Sequence, residues 1–154
     1  MAESILFSFT KVDDFFETMI DDDNITTSLF DGTTKNFKIV LAQACPANIS
    51  ECLNNDGTLN LSAISLIGTY ADDGDCALLW NKGVNNNRVI SIADSSVVYD
   101  LADNTYLLKG AFLVEQIGGK VLAYSINSSA MTVEKQVVIP LDGIVWNIFS
   151  QVNE

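Results

Sequence analysis

Short apolar runs, separated by polar and glycine-containing turns, follow one another along most of this chain. Runs of about four to eight residues bounded by Gly, Asn and Asp are typical of β-strands. Turns at intervals of about ten residues, without alternating long helices, favour an antiparallel sandwich or barrel over a parallel α/β sheet. The predicted fold class is therefore mainly β: an antiparallel β-sandwich, jelly-roll-like or barrel-like. Strands are predicted at 37–42, 76–80, 88–93, 97–101, 105–116, 120–127, 132–139 and 144–151.

One short amphipathic helix is predicted near the N-terminus. Apolar residues recur there at i, i+3, i+4, i+7 and i+8, which places them on one helix face. Thr10 and Asp13 resemble an N-terminal cap. The acids at 21–23 would be unfavourable at the negative C-terminal end of a helix, so the helix is expected to end near Ile20. Residues 1–9 before it are predicted to form a strand or an extended arm. The apolar helix positions are Val12, Phe15, Phe16, Met19 and Ile20.

The residues between 43 and 67 give a less regular pattern. Asn48 with Glu51 could begin one helical turn, and the run 54–57 (NNDG) has turn chemistry because Asn and Gly tolerate positive φ. The stretch 59–67 fits a strand and a helix equally well.

The clearest hairpin surrounds Gly118 and Gly119. A two-residue loop would pair Phe112 with Ser125 and divide the aromatic residues between two faces. A three-residue loop, 117–119, gathers the apolar residues on one face, which is what fixes strand register. Gly119 supplies the left-handed residue that such loops need. The three-residue loop is therefore predicted, with the pairs Phe112–Tyr124, Val114–Leu122 and Gly110–Ile126.

Length and composition indicate one folded domain spanning 1–154. A chain of 154 residues, 48% hydrophobic and 18% charged, can bury one core and is not typical of disorder. It contains no run of about 18 apolar residues that could span a membrane. Glu3 stands where a signal peptide would carry Lys or Arg. We therefore expect the protein to stay inside the cell that makes it.

The net charge of −12 excludes one class of partner. Nucleic-acid binding needs clustered Lys and Arg, whereas this chain has eight basic and twenty acidic residues. The surface should repel DNA, RNA and anionic membranes. The acidity serves solubility, or it serves docking to a basic surface on another protein.

The residue types available limit the chemistry. The chain has no His, which excludes Ser-His-Asp and Cys-His catalysis and His-ligated metal sites. Cys45, Cys52 and Cys76 are expected to be reduced thiols that act as small buried hydrophobes. A Cys45–Cys52 disulfide is geometrically feasible, but the odd count without a signal peptide favours thiols.

The acidic and aromatic residues offer three candidate sites, each weighed against a structural interpretation. The run Asp72–Asp75 (DDGD) could bind calcium, but it lacks EF-hand spacing and is more typical of a solvated turn. Two carboxylates could act as a glycosidase pair, but among twenty acidic residues some pair will lie at the required separation by chance. Trp80 could stack on a sugar, together with Tyr70 and Tyr106, whereas Trp146 fits a core position. The chain is therefore predicted to be no enzyme, with no catalytic, cofactor-binding or metal-binding residues.

A resemblance rests on FKIVLA (37–42), LLKGAFLVE (107–115), VLAYSIN (121–127) and VVIPLDGIVWNIF (137–149). This pattern resembles small virion structural proteins of tailed bacteriophages, crAss-like phages among them. The resemblance implies an antiparallel sandwich without cofactors and a role as an auxiliary or decoration capsid protein. It also implies binding to the major capsid protein or other virion proteins, an oligomeric state in the particle, and a virion location after assembly in the host bacterial cytoplasm. The alternatives are a tail, collar or head-fibre component, a carbohydrate-binding receptor-recognition module, a two-carboxylate hydrolase, and a β domain of another kind.

Overall fold

Strands make up most of the regular structure in the computed structural model, which describes residues 2–5, 7–12, 31–67, 74–82, 87–116, 119–141 and 145–149. One short helix, α1 (Ile49–Cys52), begins after Asn48, as Asn48 and Glu51 predict. The strands are β1 (Ala2–Ser4), β2 (Thr10–Lys11), β3 (Phe37–Ala44), β4 (Ser65–Leu66), β5 (Asp75–Cys76), β6 (Leu78–Lys82), β7 (Asn87–Ile92), β8 (Ser96–Glu115), β9 (Val121–Pro140) and β10 (Val145–Phe149).

The strands form two sheets. The larger has the order β1-β9-β8-β3-β4, with β2 added to β9 and β5 added to β3, and the smaller has the order β10-β7-β6. Every pairing is antiparallel except that of β1 with β9. The predicted mainly antiparallel β class is therefore confirmed.

Residues 76–80, predicted as one strand, instead divide between the two sheets. Cys76 pairs with Phe37 in the larger sheet, whereas Leu78 pairs with Ile92 in the smaller. The chain changes sheet at Ala77, as strands do at the corners where two sheets meet.

Strands β8 and β9 are longer than the sequence predicts. The predicted strands 97–101 and 105–116 join to form β8, and 120–127 and 132–139 join to form β9, so these four boundaries were wrong. The apolar alternation breaks inside both strands because each contains a bulge.

Two large bulges interrupt the pairing of β8 with β9, and the register shift at one cancels the register shift at the other. In the first, residues 101–104 lie opposite the single residue Lys135, whose φ is 64°. In the second, residues 127–130 lie opposite Lys109, whose Nζ donates to the Ser128 carbonyl at 2.9 Å. The register shifts by three residues at each bulge, in opposite senses, and is restored beyond them. Because three is odd, the core-facing residues of β8 change from odd to even numbers between the bulges.

The hairpin register is confirmed at two of its three predicted pairs. Gly110 lies opposite Ile126 and Phe112 opposite Tyr124. The predicted Val114–Leu122 pair was wrong: β9 has one extra residue there, so Val114 lies opposite Val121. The bulge lets β9 bury Leu122 and Ala123 in succession. Beyond it, the Glu115 N–H donates to the Lys120 carbonyl at 2.9 Å, and Gly119 has the expected positive φ of 72°. Residues 117–118 lie outside the described residues.

The N-terminal residues show that β9 is strongly bent. Ser4 pairs with Val138, and Thr10 pairs with Tyr124. The chain from Ser4 to Thr10 can extend by at most about 22 Å. The stretch of β9 between their partners would be about 47 Å long as a straight strand. The two halves of β9 must therefore turn toward each other, and the bulges provide the bend.

The helix predicted from Thr10 to Ile20 does not begin at Thr10. Thr10 and Lys11 form β2, and the Val12 N–H donates to the Leu122 carbonyl at 2.6 Å, because the edge of β9 offers these residues strand partners. The rest of that prediction, 13–20, lies outside the described residues.

Two apolar clusters stabilise the fold. The first contains residues of both sheets, among them Ile39 of β3, Leu78 of β6, Ile90 of β7 and Ile139 of β9. The second lies on the opposite face of the larger sheet, where Cys52 and Ile64 cover Phe112. The central part of β8 is consequently buried on both faces, and the run from Ala111 to Val114 has no exposed residue.

Candidate functional site

Polar side chains in or just before β3 and in β5 form contacts with each other and with residues that lie just before and just after β8. Lys35 and Asp94 form an ion pair, and Lys38 Nζ lies 3.5 Å from Asp75 Oδ1. Gln116 Nε2 donates to the same Asp75 oxygen at 2.7 Å. We call these five residues the lysine–aspartate cluster.

The contacts of the lysine–aspartate cluster stabilise the fold. Asp94 Oδ2 accepts the backbone N–H of buried Ala77 at 2.7 Å, at the point where the chain changes sheet. Asp75 already accepts from Gln116, which also reaches the Phe37 carbonyl at 3.3 Å. Asp75 is the last residue of the DDGD run, and these contacts favour the structural interpretation of that run over calcium binding. Asp72 and Asp73 lie outside the described residues.

Among the described residues, Glu115 is the acid with a raised pKa, which is a property of proton donors. Burial raises the pKa of its carboxyl above the ordinary value, while a backbone hydrogen bond and the charge of Lys120 oppose the shift. Glycosidase chemistry needs a second carboxylate at defined distance. Glu115 lies across from Phe37 on β3, and no acidic residue contributes to its pKa shift.

The three cysteines are free thiols; Cys52 and Cys76 are buried as predicted, whereas Cys45, also predicted to be buried, is only partly buried. Burial raises the pKa of Cys76 to about 12, and the charge of Asp94 adds to this. Burial also raises the pKa of Cys45, and it raises that of Cys52 to about 11. A nucleophilic cysteine needs a lowered pKa, so these environments do not favour covalent catalysis.

The described aromatic candidates for sugar binding lie in different sheets. Trp80 of β6 and Trp146 of β10 take register positions on either side of Ile90, in the smaller sheet. Tyr106 is partly buried and packs against the first apolar cluster. Tyr70 lies outside the described residues.

Two exposed apolar side chains lie on the surface of the β8–β9 ribbon that faces away from the core. Val98 is 41% exposed and Leu107 is 51% exposed, while their neighbours Val97, Tyr99 and Leu108 are buried. The bulge at 101–104 lies between them and keeps both residues on the outward face, although one has an even and the other an odd number. We call this surface the outer ribbon face; besides these two residues it comprises Asp100, Thr105, Thr132, Glu134, Gln136 and Val138.

The pattern of apolar alternation alone did not reveal the outer ribbon face. Val98 and Leu107 lie within apolar runs that predict buried strands, and only the observed register separates them from the core positions. A signal was present on β9, where the outward-facing residues Thr132, Glu134 and Gln136 are polar, as is typical of a solvated face.

In the described part of the chain, no three His, Cys, Asp or Glu residues are grouped so that they could hold a metal ion. The described helix is also too short to cross a membrane. Comparison with family models, with curated proteins and with solved structures gave no match.

Proposed function

We propose that this protein is a non-enzymatic structural subunit of a tailed-bacteriophage particle, an auxiliary capsid protein that binds a neighbouring virion protein through the outer ribbon face. The observation that carries the proposal is the exposure of Val98 and Leu107 on β8, a twenty-residue strand that pairs with the equally long β9. Apolar side chains fixed on a rigid sheet face lose little conformational entropy when a partner covers them.

The charge of the chain indicates what kind of surface the partner presents. With a net charge of −12 and acids on the outer ribbon face, the protein fits a partner that is basic around an apolar centre. The same charge keeps the subunit away from the packaged genome. We expect association to weaken as salt rises, because rim charges are screened.

The proposal includes the finer fold, an antiparallel sandwich with barrel-like curvature. Two observations support it: residues of both sheets share one apolar cluster, and β9 bends so that its halves approach each other. An experimental structure in which Leu78 and Ile139 belong to separate cores would contradict it.

Incorporation into particles tests the function. Mass spectrometry of gradient-purified particles should find the protein at a copy number near that of the major capsid subunit. A low, fixed copy number would assign it to the collar or tail, and its absence from particles would overturn the proposal.

A complementation experiment tests the surface. Particles made with Val98→Asp or Leu107→Asp should carry at least about tenfold less of the protein, because each change buries a charge at the interface. Leu61→Asp is the matched control, because Leu61 is 63% exposed but lies outside the ribbon. Equal loss in all three variants would show that the outer ribbon face is not the contact surface.

A further inference from the structure

The side chains of Cys45 and Cys52 meet across a short turn of the chain. Cys45 directly follows β3, and Cys52 is the last residue of α1. Cys52 Sγ lies 3.5 Å from the Pro46 carbonyl and 3.4 Å from the Asn48 carbonyl, so the side chain points back toward the residues that follow Cys45. Both residues pack into the second apolar cluster, and each cysteine side chain contributes to the pKa shift of the other.

The surroundings hold both sulfur atoms in place. Both residues belong to the second apolar cluster, with Cys52 fully buried and Cys45 at its margin. Cys45 Sγ lies above Gly110 of β8, where a Cβ would be only 3.4 Å from the sulfur. Gly110 therefore leaves the space that Cys45 needs beside α1.

We propose that Cys45 and Cys52 are a latent disulfide site, which closes when the protein meets a low-molecular-weight disulfide such as oxidised glutathione. Cys45, the more accessible thiol, loses its proton and attacks one glutathione sulfur, which releases one glutathione thiolate. Cys52 then loses its proton and attacks Cys45 Sγ, which releases the second. Two protein thiols are oxidised to one disulfide, and one glutathione disulfide is reduced to two glutathione thiols.

Cys76 takes no part in this reaction. It belongs to the first apolar cluster, on the other face of the larger sheet, and it is fully buried. The free thiols of the structure correspond to the reduced state. Closure requires an oxidant such as glutathione disulfide. It does not depend on the proposed function.

The site can be mapped in the full-length protein with oxidised glutathione as the oxidant. The mass of the intact protein is measured first, and remaining thiols are then blocked with N-ethylmaleimide in denaturant, because Cys76 is fully buried in the folded protein. Digestion with a protease that cleaves after Glu and Asp separates Cys45 from Cys52 at Glu51, and it places Cys76 on a third peptide. We expect a mass loss of about 2 Da before blocking, and a linked Cys45–Cys52 peptide pair and a blocked Cys76 after it. Closure should be faster at higher pH, because the thiolate is the attacking species.

Three serine variants provide the controls. Cys52→Ser should stop at a glutathione adduct on Cys45, and Cys45→Ser should form no linked pair. Cys76→Ser should close like the wild type; if it does not fold, the wild-type peptide map still decides the question. The closed protein should melt about 5–10 °C higher than the reduced protein. Free thiols, a persistent glutathione adduct on the wild type, a link to Cys76 or a link between chains would each overturn the proposal.

Discussion

The hydroxyl group of Tyr99 fills the space above Gly74 in which any other residue would carry its Cβ. Gly74 has a φ of +85°, and its carbonyl accepts the Ile39 N–H at 2.8 Å. Tyr99 itself is only 3% exposed and belongs to β8. The glycine of the DDGD run is thus the point where one turn packs against both β3 and β8, so its role is structural.

Gly74→Ala should destabilise the protein by about 3 kcal/mol, since the new methyl group adds a clash with Tyr99 and the Ile39 carbonyl to the cost of positive φ. Urea unfolding followed by tryptophan fluorescence would measure this loss. Gly57→Ala is the matched control: Gly57 has a φ of +89°, but only the Lys120 side chain is near, at 3.8 Å. It should cost about 1 kcal/mol. Equal losses at both sites would contradict the packing described at Gly74.

Asp94→Ala should destabilise the protein by about 1–3 kcal/mol, because it leaves the buried Ala77 N–H without its acceptor. Lys35→Met should cost less than about 1 kcal/mol, since it removes only a surface ion pair whose lysine is half exposed. Thermal unfolding of both variants would show which contact matters. A larger loss in Lys35→Met would assign the stabilisation to the ion pair instead.

Lys135→Gly should stabilise the protein by about 0.5–1 kcal/mol, although glycine in a strand is ordinarily destabilising. Lys135 is exposed and has a φ of 64°, which glycine adopts without strain. Gln136→Gly, at the exposed neighbouring position, should destabilise the protein instead. The opposite signs would appear as melting-temperature shifts in opposite directions; a fall in both would mean that the bulge is not under backbone strain.

Asp31 should link stability to pH in the acid range. Hydrogen bonds from the Thr34 hydroxyl, and from the backbone N–H groups of Thr34 and Thr33, lower the pKa of its carboxyl from 3.8 to about 2. A lowered pKa in the folded state means that the charged form stabilises folding above pH 3.8. This contribution is lost as the pH falls from 3.8 through about 2.

The Asp31 carboxyl carbon should therefore titrate in an NMR experiment at a pH well below that of an ordinary aspartate. Thr34→Val removes the hydroxyl donor and should move the titration midpoint upward. Above pH 3.8, the wild type should have a larger unfolding free energy than Asp31→Asn. This difference should shrink as the pH falls from 3.8 through about 2. A midpoint near 3.8 in the wild type would rule out these hydrogen bonds in solution.

The features that the sequence predicted well are those fixed by neighbouring residues. β3 appears at 37–44 because an apolar run between polar residues needs no distant information, and the pairing of Phe112 with Tyr124 follows from a glycine turn a few residues away. The bulges at 101–104 and 127–130 could not be predicted from neighbouring residues. Each shifts the register of β8 with β9 by three residues, and only the other bulge, far away in the sequence, restores it. The outer ribbon face depends on that register, so it was equally hidden.

The parallel pairing of β1 with β9 has a kinetic consequence. Ala2 and Gln136 lie near opposite ends of the described sequence, so their contact closes a very long loop and we expect it to form late in folding. Until it forms, β9 presents an open edge that accepts the same segment from any copy of the chain. Concentrated refolding should therefore produce molecules that have exchanged their first strands, and dilution should suppress this exchange. β1, the strand that completes this edge of the larger sheet, is therefore also the strand most readily exchanged with another copy of the chain.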